Sequence, residues 1–163
     1  MNRRLFGLLV TALTASFALS LAAVEMPTPE FQNIMKSNAG IVDLVGGGNA
    51  FGRDTNIDVK DVVGEPSLRV HLRDKDFDAI VKDAATLREN FAKIEAFWAA
   101  RKADDAVTLA KTGIKQVDDI EAAAKQQDAA GVNKAQVALA NTCRDCHLAH
   151  RIVMLTDRTF AIR

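Results

Sequence analysis

The residues that could do chemistry are concentrated near the end of the chain, where Cys143, Arg144, Asp145, Cys146 and His147 follow one another. Two thiols three positions apart, with an imidazole directly after the second, make the C-x-x-C-H spacing used for covalent attachment of a c-type heme. Each thiol can add to a vinyl group of the porphyrin, and the adjacent imidazole then lies where it can ligate the iron. On a helix Cys143 and His147 are one turn apart, so the spacing suits a flat cofactor lying beside the helix. Two other chemistries use the same residue types. A C-x-x-C redox disulfide belongs with a thioredoxin-like strand and helix pattern, which is absent here. Zinc would need Cys143, Cys146, His147 and His150, and a rigid helix cannot easily wrap four neighbours around a tetrahedral centre.

The elements that must position these residues can be read from composition and periodicity. The chain has 163 residues, 48% of them apolar, which suits one folded domain rather than a disordered polyampholyte. Lys and Arg number 21 against 21 Asp and Glu, and this balance argues against a dedicated nucleic-acid binder. Two cysteines are too few for a disulfide scaffold. All three prolines, Pro27, Pro29 and Pro66, lie early, so the chain beyond Pro66 can be helical without interruption.

Residues 1–22 read as a secretory signal peptide: Arg3 and Arg4, an apolar run from Leu5, then Ser20, Leu21 and Ala22 as a small-x-small cleavage site. The alternative is an uncleaved membrane anchor, since Leu5 to Ala22 is just long enough to span a bilayer. In either case the domain, residues 23–163, is exported, and a periplasmic location is expected. Cleavage removes Arg3 and Arg4 and no carboxylate, leaving a mildly acidic remainder.

Thr28, Pro29 and Glu30 form a helix start, with Phe31, Ile34, Met35, Asn38, Val42 and Val45 on its apolar side and Gly46, Gly47 and Gly48 as its stop. Residues 46 to 73 show no sustained helical period and are read as a long crossover. A second helix is expected from Asp74, with a stripe running from Phe77 through Leu87, Phe91 and Ile94 to Trp98. Asp104 and Asp105 start a third, in which Gly113 weakens the middle or allows close packing. A turn around Lys125 to Asp128 leads to a fourth, expected to run to about Met154. The fold class expected is therefore all-α, an antiparallel four-helix bundle with a long crossover between helices one and two. Alternating directions bring the starts of helices one and three and the ends of helices two and four to one pole.

With CRDCHLAHR near the carboxyl end of an exported helical bundle, the chain resembles the class II cytochromes c, the cytochrome c prime family. That family carries a basic residue four positions after the histidine, matched here by Arg151. The segment FQNIMKSNAG resembles the first helix of the low-spin members, in which a methionine is the sixth iron ligand; it maps onto Met35. The resemblance implies one covalent heme c on Cys143 and Cys146, with His147 as axial ligand and Met35 as its partner across the iron. It covers about Thr28 to Val45 and Asp74 to Val153. The long crossover and the tail after Arg151 depart from the family, so family dimer contacts do not transfer and a homodimer stays open.

Helix geometry bears on Met35 separately. At 1.5 Å per residue it lies about 10 Å along helix one, and His147 about 10 Å before an end near Met154, so the two reach similar depth at one pole. Two alternatives stay open: Met35 as core packing beside a five-coordinate iron, or His71, in the crossover, as the ligand. His150 reads as a surface or propionate neighbour, Arg151 as a propionate contact or a solvated arginine, and Asn38 as a pocket residue or packing contact. The expected function is a periplasmic electron carrier working with redox partner proteins, without catalysis. The alternatives are a five-coordinate heme protein binding nitric oxide or carbon monoxide, and a hemeless interaction domain.

Overall fold

A computed structural model describes residues 24–42, 67–153 and 160–163. The expected signal peptide at 1–22, the glycine-bearing crossover at 46–66, and Val45 and Met154 lie outside the described residues. The rest is all-helical apart from one small strand pair, and is compatible with a helical bundle.

Helix α1 spans Pro29–Val42, and the Thr28 hydroxyl accepts from the Phe31 amide at 3.3 Å, as the sequence around Pro29 predicts. Helix α2, Leu68–Asp74, corrects the expectation of an irregular chain as far as residue 73. Seven residues are too few to show a 3.6-residue period, but Leu68 at its start is fully buried and anchors it. Lys75 ends α2 at φ 57°, and the next cap is Asp76, whose side chain accepts from the Ala79 amide at 3.0 Å. The cap therefore lies two residues after the Asp74 expected.

Helix α3 runs Phe77–Ala100, α4 Asp104–Lys125 and α5 Ala129–His150. The expected stripe of α3 is buried at Ile80, Ala84, Leu87, Phe91, Ile94 and Trp98. Neighbouring helices run antiparallel: Arg88 pairs with Asp118 and Glu121 while Glu95 pairs with Lys111 further along, and Asn90 donates to Asn38 while Phe97 stacks on Phe31. Asp128 caps α5 by accepting from the Gly131 amide at 2.9 Å, and a Cβ on Gly131 would run into that carboxylate.

At Gly113 a Cβ would overlap the Phe91 ring, so the glycine serves close packing of α4 on α3. Gly113→Ala should lower stability by up to about 2 kcal/mol net: overpacking costs about 1–3 kcal/mol, and alanine returns about 1 kcal/mol of helix propensity. A denaturation midpoint that rises instead would show that Phe91 can move aside freely.

The last helix stops at His150 rather than near Met154, because the backbone turns extended at Arg151. Strand β1, Arg151–Val153, pairs antiparallel with β2, Phe160–Ile162, setting Arg151 opposite Ile162. Arg163 then caps α5. Its side chain donates to the Ala149 carbonyl at 2.9 Å and its amide to the His150 carbonyl at 3.1 Å, supplying donors to carbonyls that a helix end leaves orphaned. Glu25 joins the same edge through two backbone bonds with Ile162, of 2.9 and 2.7 Å, and its carboxylate pairs with Arg101 at the end of α3. Ala161 and Ile162 are buried beneath this clasp.

Candidate functional site

The start of α1, the end of α3, the start of α4 and the end of α5 surround a cavity of about 370 Å³, closed on one side by β2. That size falls in the range of cofactor sites, about 300–1,000 Å³. Cys143, Cys146 and His147 all line it from α5, because spacings of three and four residues keep side chains on one helix face. Met35 lines it from α1 and Phe91, Ile94 and Trp98 from α3. Arg151 reaches the same space from β1, with its guanidinium 3.3 Å over the Phe160 ring. The sequence-predicted site residues thus come together, although His147 sits within the last turn of α5 and not two turns from its end.

Both thiols are free. Burial pushes the Cys143 thiol up to about 12, with the neighbouring Cys146 adding to the effect. Cys146 is pushed up to about 11, again mainly by burial and then by Asp105. A redox C-x-x-C pair does the reverse, holding a thiolate at neutral pH. These thiols keep their protons.

Such raised thiols make stability depend on alkaline pH. Below the ordinary thiol value of 9.0 both folded and unfolded chains hold these protons. Between there and about 11 to 12 the unfolded thiols ionise and the folded ones do not, so stability of the heme-free polypeptide falls as pH rises through that window. Denaturation midpoints of the heme-free chain, with a Cys143→Ala/Cys146→Ala control, check this; equal alkaline losses in both would remove the thiols as the cause.

His71, the alternative ligand, does not line the cavity. It lies on α2 with Nδ1 3.0 Å from Asp83 near the start of α3, the far end of that helix from Trp98. His150 lines the cavity but is engaged at both ring nitrogens, by the Arg163 carbonyl at 3.1 Å and by Asp105 at 3.0 Å. Among the described residues no three His, Cys, Asp or Glu side chains converge to hold a bare metal ion.

No known protein family, curated protein or solved structure matches the chain.

Asn90, which orders this side of the cavity, was not read from the sequence, whereas Asn38 was read as a pocket residue or packing contact. Asn38 lines the cavity one turn after Met35 and accepts from Asn90 at 2.8 Å; Asn90 also donates to Ser37 at 3.1 Å. These bonds fix α1 against α3 at the level where Met35 enters. The readable signal was a polar residue between Leu87 and Phe91 inside an apolar stripe. Trp98, read as core, also carries a buried indole nitrogen without an acceptor among the described residues. The residues present fit a heme: two thiols and an imidazole on one helix face, a thioether from another helix, apolar walls, and a buried donor still to be satisfied. Among the described residues no helix is long and apolar enough to cross a membrane.

Proposed function

We propose that the chain is an exported, periplasmic c-type cytochrome built as an antiparallel four-helix bundle, passing single electrons between redox partner proteins. The observation that carries this reading is the convergence of Cys143, Cys146 and His147 from α5 and Met35 from α1 on one apolar cavity. When bound there, heme supplies a one-electron ferric–ferrous couple. Cys143 and Cys146 would hold it through thioether bonds, and His147 and Met35 would ligate its iron. A methionine sulfur favours the reduced state relative to a second imidazole, so Met35 sets a raised potential. The proposal includes no catalysis.

Around those ligands the chain supplies exclusion of water and placement. Phe91, Ile94 and Trp98 lower the local dielectric, which tunes the potential of bound iron. Arg151, which lines the cavity with its guanidinium over the Phe160 ring, would offer a cation to a heme propionate.

The test is the purified exported protein, examined by absorption in both redox states and by mass under denaturing conditions. A low-spin reduced spectrum with a heme that stays attached on denaturation is expected. No heme band would refute the reading, and a high-spin spectrum that shifts with carbon monoxide would move it to gas binding.

A further inference from the structure

Trp98 is the chain's single tryptophan, 4% exposed, and it lines the cavity from the end of α3. Its ring is well packed: edge-on to Phe97 at 5.1 Å and Phe31 at 6.2 Å, and tilted against His150 at 4.8 Å. Those contacts account for the indole's apolar body and leave Nε1 without an acceptor among the described residues. His150, against which the ring lies, cannot serve, because both its nitrogens are already engaged by Arg163 and Asp105. Buried indole N–H groups ordinarily find a partner, and a native fold leaves few such donors unsatisfied.

We infer that the missing acceptor belongs to the occupant of the cavity: the Trp98 indole N–H donates a hydrogen bond to a carboxylate, one of the two heme propionates. This rests on the heme reading above. On the rim of a heme the propionates are the strong acceptors; the pyrrole nitrogens face the iron and thioether sulfur accepts weakly. Donation to an anion inside an apolar wall is stronger than donation to a neutral group. Trp98 is therefore a positioning residue that fixes how the porphyrin sits and holds that propionate ionised. Lys36, Arg151, and His150 with Asp105 are the other charged or titratable groups at the cavity outside the thiols and iron ligands, and Trp98→Phe leaves them in place.

Because there is one tryptophan, the reduced holoprotein labelled with ¹⁵N has one indole cross-peak. It should be protected from solvent exchange and should shift with the propionate titration. Trp98→Phe keeps the ring and removes the donor. In this variant the pH midpoint of the reduction potential should move up by about one unit, with the low-spin spectrum unchanged. Should the variant fail to fold, the wild-type cross-peak decides alone. An indole that exchanges freely and ignores the titration overturns the inference, as does a Trp98→Phe potential profile matching wild type. Wild-type protein without covalent heme overturns this and the parent reading together, whereas heme with an unresponsive indole overturns this one only.

Discussion

Replacing Cys143 and Cys146 together by alanine should abolish covalent heme, so that no colour stays with the polypeptide on a denaturing gel. Either single replacement should leave one thioether and a partly altered spectrum. The effect is large because both thiols enter the cavity from one face of α5 and no third cysteine exists to replace them. Stability should fall as well. Without heme the apolar walls of this open pocket lose their packing partner. Water entering the pocket offsets part of this, but even a few kcal/mol is a large share of a domain's 5–15 kcal/mol. Retained colour on the gel would show that the heme is not held by these sulfurs.

Met35→Ala should turn a low-spin spectrum high-spin, remove the methionine-to-iron charge-transfer band of the ferric form, and lower the reduction potential. The basis is placement: Met35 is half-buried, lines the same cavity as His147, and sits beside Ser37 and Asn38, which Asn90 ties to α3. His71 cannot take over without leaving Asp83 and the far end of α3. An unchanged spectrum in Met35→Ala would rule the residue out as ligand and leave it a packing role. Carbon monoxide binding in the variant, absent from wild type, would show that the sixth position had been opened.

Legibility differed by the distance over which each feature is encoded. Thioether attachment demands thiols and imidazole within one helical turn, so the C-x-x-C-H residues could be found without any fold. Long amphipathic helices were equally plain: the stripe from Phe77 to Trp98 and the Thr28 cap behave as their periodicity and capping rules require. Helix α2 was hidden because a seven-residue helix barely completes two turns, and its anchor, Leu68, looks like any loop leucine until its burial is known. The strand pair was hidden for the same reason, since three residues carry no alternation. Its hydrogen bonds join Arg151 to Ile162 and Ile162 to Glu25, which nothing local announces. Individual polar partners, such as Asn90 for Asn38 or Asp105 for His150, depend on contacts between helices and could not be read from spacing.

The clasp between Glu25 and Ile162 has a consequence for the order of assembly. It joins residues close to opposite ends of the chain, and such contacts form late because loop closure must precede them. Helices α3, α4 and α5 can pair as soon as they emerge, through connections of a few residues. The pocket wall formed by Phe160, Ala161 and Ile162 closes only once β2 has paired with β1. The thiols of α5 are therefore more accessible before Arg163 docks on the helix terminus. Under the proposed heme reading, loading of Cys143 and Cys146 would come before that docking.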